Sequence, residues 1–275
     1  MAAKQVSRSF AGRECFASRL GGCSDKMSGE HYVSDSILRM LGATNISTRD
    51  YPWNVDGELK TVGISSFKTK VLCQEHNSAL SKADEAAKAF AMALAWAGLQ
   101  IRTSVEFESA SEVLSVDGDQ LERWVLKTLV VHQLASVLKD NGKPVATLDR
   151  TQAVDLLFGQ RPWPPGWGLY VSRTASDPLT KESVRAPWGG IQPLVRKDGE
   201  LIGGLVWLGG VALALALFQP APDETRGPFA NAVYRPGAVA FRTRGFDKGA
   251  VLLWSDSAHH EQVIMSVTFK KIGEP

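Results

Sequence analysis

The sequence predicts an α+β protein with a small metal module at the N-terminus, a helical middle and an antiparallel β-rich C-terminal region. Three observations predict it. All three cysteines and two of the five histidines fall within residues 15–77. Residues 78–160 carry apolar positions at helical spacing. Beyond the Pro/Trp-rich RPWPPGWG at 161–168, short β-branched and aromatic runs are punctuated by glycines. The expected divisions are 10–85, 86–160 and 161–275, and no internal repeat is present.

The N-terminal stretch is short of periodic patterns and rich in Gly and turn residues. The first helix is predicted in SALSKADEAAKAFAMALAWAGL, with Ser78 as N-cap. A second is predicted in DQLERWVLKTLVVHQLASVLKDNG. It opens at Asp119, carries Leu121, Trp124, Thr128, Val131, Ala135 and Leu138 on one stripe, and stops at Asn141–Gly142. A third, shorter helix is predicted within TLDRTQAVDLLFGQ. The strands follow: GLYVSR, a glycine-punctuated hairpin, GAVAFRTRG, AVLLWSD and QVIMSVTFKK.

The hairpin needs its own argument, because residues 201–218 form eighteen consecutive uncharged positions, the lower edge of what spans a bilayer. Gly203-Gly204 and Gly209-Gly210 interrupt the run, and VALALAL then alternates with a period of two. Glycine pairs weaken a helix but suit a hairpin bend. The flanks are KDGE and QPAPDE, without the positive bias of a membrane span. No membrane association is expected.

The 275 residues are 44% hydrophobic and 22% charged, enough to bury a large core. The formal net charge is +2, and the first 77 residues hold ten Lys/Arg against eight Asp/Glu, so no basic arm stands out. Nucleic-acid binding would have to rest on local patches. Three cysteines cannot close a full set of disulfides, and the first fifteen residues contain no apolar signal segment. A reducing, cytoplasmic setting is expected.

Cysteines clustered in such a setting suit a metal. Zinc takes four Cys/His ligands in a tetrahedron, commonly as two pairs from two turns. Cys73-x-x-His76 has the spacing of one pair; Cys15 and Cys23, seven residues apart in between, supply the other. Glu30, His31 and Asn77 are then left over, and these are the residue types of a hydrolytic metal site. Plainer roles stay open at this point. Cys73 suits a buried thiol, His76 and Asn77 a helix start, and His31 and His132 core packing. His259 and His260 suit a solvated loop.

SGEHYVSDSIL followed by KVLCQEHNSALSKAD resembles the HNH nuclease superfamily with its treble-clef ββα-metal fold, in its bacterial branch. The likeness covers residues 13–85, and DQLERWVLKTL resembles the helix that follows the module in uncharacterised relatives. The resemblance implies His31 as general base, Glu30 as acidic metal ligand and Asn77 as metal ligand at the helix start. It implies Cys73 and His76 as the second zinc pair, a catalytic magnesium or similar divalent ion, and nucleic acid as partner, DNA in preference to RNA. The pattern departs in four places. Ser18 stands where a paired cysteine is usual, His76 replaces a cysteine, and Ser34 stands where a proline often follows. The loop-bracing asparagine is either Asn45 or Asn54. A non-catalytic nucleic-acid- or protein-binding module, or an inhibitor built on the same fold, is the alternative.

Overall fold

A computed structural model describes residues 14–40, 44–54, 58–103, 114–140, 142–173, 188–221, 227–243 and 246–266. Residues 10–13 of the expected module, Asn141 at the expected helix stop, and 244–245 and 267–271 of two predicted strands lie outside these. The fold is α+β, as predicted. Strand β1 (Glu30–His31) leads through helix α1 (Asp35–Arg39) to a hairpin of β2 (Asn45–Thr48) and β3 (Lys60–Gly63). Strand β4 (Lys68–Thr69) then returns antiparallel to β1, with Glu30 opposite Thr69 and His31 opposite Lys68.

The helix predicted from Ser78 is two helices, α2 (Gln74–Ala79) and α3 (Ser81–Thr103). Cys73 caps α2, its sulfur accepting the His76 backbone N–H at 3.5 Å. Leu80 leaves helical geometry (φ −96°, ψ 7°) with its side chain buried, so the turn forms around a core contact and not at a capping serine.

Strand β5 (Leu114–Asp117), which alternation did not reveal, precedes helix α4 (Gly118–Leu134). Asp117 is the cap, accepting from the Gln120 N–H at 3.0 Å, while Asp119 accepts from the Ser255 N–H at 2.9 Å. The predicted stripe faces the core at Leu121 and Trp124, yet Val125, Leu126 and Leu129 are equally buried. Helix α4 is therefore covered on all sides. It ends seven residues before the expected stop, where Ser136 turns left-handed (φ 59°). The remainder forms a small hairpin, β6 (Lys139–Asp140) and β7 (Lys143–Pro144), with Gly142 at φ 77°. Helix α5 (Arg150–Leu157) is capped by Asp149, which accepts from the Gln152 N–H.

The C-terminal part holds β8 (Gly168–Ser172), β9 (Trp188–Val195), β10 (Leu201–Leu208), β11 (Val211–Ala216), β12 (Ala232–Tyr234), β13 (Ala238–Thr243), β14 (Phe246–Leu253) and β15 (Gln262–Ser266). Five strands make an antiparallel sheet in the order β12-β8-β11-β10-β9. The apolar run is its hairpin: Leu208 pairs with Val211, and Gly209 and Gly210 take φ values of 58° and 82°. Two consecutive positive φ angles are what a two-residue hairpin turn with the right twist requires. Along β11 the Val and Leu side chains enter the main core, while Ala214 and Ala216 pack beneath Phe229 on the opposite face. Among the described residues no helix is long and apolar enough to cross a membrane. The second sheet, β15-β13-β14-β5, corrects the all-antiparallel expectation. Strands β15 and β5 join it in parallel, β5 arriving from the helical region.

One cluster of buried side chains runs from Phe16 through Phe90, Trp124 and Leu129 to Leu213 and Phe241, so packing is continuous across residues 85 and 160. Helix α4 ties both halves together through buried charge. Its Glu122 receives a forked bond from Arg235 (2.8 and 3.1 Å) and the Leu169 N–H at 2.7 Å. Its Lys127 ammonium lies 2.8 Å from Glu30 of β1 and 2.8 Å from Asp84 of α3. Ser34 donates to Asp84 at 2.5 Å and accepts from the Trp124 indole at 2.8 Å. Lys127→Met strands two carboxylates, one of them fully buried, and is expected to cost about 3–5 kcal/mol. Urea unfolding checks it; a loss below about 1 kcal/mol contradicts this account of the network.

Candidate metal centre

The wide spacing of Cys15 and Cys23 is closed by local geometry. Ser18–Leu20 make a single tight helical turn, and Gly21 and Gly22 follow at φ 75° and 63°. Two left-handed residues in succession reverse the chain, a conformation glycine adopts without Cβ strain. The loop is pinned from outside by Arg150 of α5, which donates to the Cys15 and Phe16 carbonyls at 2.7 Å each. Cys73 and His76 reach the same point from the first turn of α2, where the Cys73 N–H donates to the Cys15 sulfur at 3.3 Å.

Three sulfurs thereby surround one nitrogen. His76 Nδ1 lies 3.4 Å from Cys15 Sγ, 3.6 Å from Cys23 Sγ and 3.2 Å from Cys73 Sγ, and the four atoms all lie within 4.8 Å of one another. A zinc ion bonded at about 2.3 Å to sulfur and about 2.0 Å to nitrogen separates tetrahedral S and N ligands by about 3.5 Å. The group fits a metal ion such as zinc with the ligand set that the spacing suggested. Burial opposes the Cys73 thiolate, but backbone N–H groups of His76 and Ser24 outweigh it and bring the thiol down to about 6. Burial and the neighbouring Cys15 push Cys23 up to about 11. Three thiolates so close repel one another unless a cation sits among them. Cys15, Cys73 and His76 are buried, and Cys23 is the exposed ligand.

Asn77 follows His76 on α2, Glu30 and His31 are successive residues of β1, and no hydrogen bond or ion pair joins the three to one another. Each leaves one buried polar atom without a hydrogen-bond partner. Glu30 gives Oε1 to Lys127 and leaves Oε2. Asn77 donates through Nδ2 to Ser28 Oγ at 2.9 Å and leaves Oδ1. His31 leaves Nε2. Burial lowers the His31 pKa, against the opposing influence of Asp35, and favours the neutral ring. Glu30 is pushed up by burial, and it shares a single ammonium with Asp84. Lys127, serving both carboxylates, is raised despite burial.

Asn54 is the asparagine that braces the loop. Its Oδ1 accepts from the Tyr51 N–H at 3.0 Å, and Nδ2 donates to the Thr48 and Glu58 carbonyls at 2.9 and 3.1 Å. Asn45 is exposed and reaches only Thr44. The sequence reading missed Asp35, whose Oδ1 lies 3.5 Å from His31 Nε2 and is likewise without a hydrogen-bond partner. Four-residue spacing within HYVSD was its one signal. It also missed Lys127, hidden in the helical stripe. His260 is bonded to Asp256 at 2.6 Å and half-buried beside Trp254, which corrects its reading as a solvated loop residue; His259 is exposed.

His132 is fully buried and packs, as expected. Its Nδ1 donates to the Thr128 carbonyl at 2.7 Å and its Nε2 accepts from the Tyr51 hydroxyl at 3.0 Å, tying α4 to the loop after β2. Burial pushes its pKa down to about 4. The unfolded histidine titrates near 6.5, so the unfolded chain binds the extra proton first. Stability is full above about pH 6.5 and falls toward pH 4, by about 3 kcal/mol for this fully buried group. Denaturant unfolding at pH 7 and pH 4.5 is expected to show a smaller acid loss in His132→Gln than in the wild type.

Set against known protein families, curated proteins and solved structures, the chain matches none of them, so the geometry of this centre and its surroundings carries the functional argument.

Proposed function

We propose that the N-terminal part is the catalytic module of a divalent-metal-dependent HNH-type nuclease, with zinc in the Cys15/Cys23/Cys73/His76 centre as a structural ion. One observation carries the reading. Glu30, His31 and Asn77 each hold a buried polar atom without a hydrogen-bond partner, and Lys127 and Ser28 anchor the other polar atoms of Glu30 and Asn77. Buried polar groups are ordinarily satisfied, and orphans on three residues of this chemistry suit a site awaiting ligands.

His31 is the proton acceptor. Its ring, kept neutral by burial, takes a proton from the water that attacks a phosphodiester. Asn77 Oδ1 and Glu30 Oε2 are oxygen donors suited to magnesium, with Ser28 and Lys127 holding the opposite atoms. A divalent ion held there supplies positive charge for the negative charge that develops on phosphate. Nucleic acid is the substrate class, DNA in preference to RNA, in a cytoplasmic setting.

The engagement of Glu30 by Lys127 favours a second reading, in which the same module binds nucleic acid or protein without cleaving it. Incubation of plasmid DNA and structured RNA with magnesium, manganese or no divalent ion separates the two. Divalent-dependent cleavage supports the nuclease. Binding without cleavage under every ion supports the module.

A further inference from the structure

We propose that helix α5 sets how long the metal stays in the Cys3His centre, with Arg150 as a positioning residue that acts through the backbone of Cys15. The role rests on zinc as the structural ion proposed above and not on nuclease activity.

The four ligands all come from residues 15–76, but the outer support of two of them comes from far along the chain. Arg150 Nε donates to the Phe16 carbonyl and Nη2 to the Cys15 carbonyl, each at 2.7 Å. Nη2 also reaches Ser18 Oγ at 2.9 Å, and the guanidinium lies 5.6 Å from the centre of the Phe16 ring. Further along the helix, Asp155 pairs with Arg19 of the same loop. Phe158, at the end of α5, sets its ring edge-to-face with the His76 imidazole, 5.4 Å between centres. The helix is itself fixed, because Ala153, Val154, Leu156 and Leu157 are buried in the common core. Cys15 and His76 are thus backed by a rigid element outside the residues that ligate.

Cys23 is the opposite case. It is the exposed ligand, and at Gly21 and Gly22 before it a Cβ would meet no heavy atom within 4 Å. Low contact density marks a segment that opens easily, so release of the ion begins at Cys23. Whether the ion then escapes or is recaptured depends on Cys15 keeping its place, which the Arg150 fork enforces. Outer groups that orient metal ligands are worth about 10–100-fold in metal affinity. Arginine suits the task because its planar donors reach two carbonyls at once, whereas a lysine ammonium is a single point.

Zinc-loaded full-length protein mixed with an excess of a chelating dye such as pyridylazoresorcinol, at room temperature, tests this. Arg150→Met keeps the apolar stem and removes the donors, and is expected to release zinc about tenfold faster or more. Arg150→Lys is expected to fall between it and the wild type. The Arg150 side chain is about one-third exposed, so both variants keep the core. Val154→Ala, on the same helix and fully buried, is expected to lower the unfolding temperature yet release zinc at the wild-type rate. That control separates positioning from general loosening. A wild-type rate in both Arg150 variants, or an equal acceleration in Val154→Ala, overturns the proposal and leaves the structural ion standing. A wild type that takes up no zinc overturns both. The readout is zinc release and not hydrolysis, so a protein that cleaves no nucleic acid alters none of these outcomes.

Discussion

Cys73→Ser is expected to purify without its metal and without a cooperatively folded N-terminal module. The size of the effect follows from position. Cys73 is fully buried, caps α2, and its sulfur lies 3.2 Å from His76 Nδ1. Serine offers an oxygen that can accept the cap hydrogen bond in place of sulfur but no thiolate, so the loss isolates the metal. Structural zinc contributes about 10–16 kcal/mol in small zinc-bound folds, more than most domains' total stability. Part of the module, including Phe16, Val71 and Leu72, packs into the common core, and Arg150 grips the Cys15 loop from α5. The damage therefore reaches the rest of the chain as a lowered unfolding temperature. Metal analysis of wild-type protein purified without added zinc is expected to find about one equivalent. A Cys73→Ser protein with unchanged thermal stability and no metal would remove the structural-metal account.

His31→Ala is expected to reduce nucleic-acid hydrolysis about a hundredfold or more, the usual scale for losing a general base, while folding and zinc content stay as they were. His31 lies outside the Cys3His group, and its side chain is about one-fifth exposed, so truncation opens no large core cavity. Asn77→Ala is expected to act differently. It removes an oxygen donor and the bond to Ser28, so the divalent concentration for half activity rises while the saturated rate falls less. Glu30→Gln adds a stability loss that the other two lack, because Lys127 then keeps only Asp84 as a counter-charge. Wild-type protein that binds nucleic acid but leaves it intact, with binding unaffected in His31→Ala, would transfer the site to the non-catalytic reading.

The elements most legible in the sequence were those with local causes. The apolar run at 201–218 forms a hairpin because Gly209-Gly210 supplies the two positive φ angles its turn needs, and α5 begins where Asp149 can cap it. The Cys15/Cys23/Cys73/His76 set was legible because zinc demands a particular ligand chemistry, and the chain holds few residues able to meet it. These properties depend on residues near in sequence or on a scarce residue type, so a sequence by itself determines them. Tertiary structure decided the rest. Strand β5 is four residues long, too short for its Leu-Ser-Val-Asp alternation to stand out, and it pairs with β14 along a parallel edge. The stop of α4 at Leu134 and the break at Leu80 answer to burial against other elements, which overrides capping preference. The same holds for the ionised groups. Glu30 reads as a free acidic ligand until Lys127, ninety-seven positions away, is packed against it, and Asp35 gains meaning only when its oxygen faces His31. A charge buried among apolar side chains must find its counter-charge in space, and nothing local in the sequence records where that partner lies.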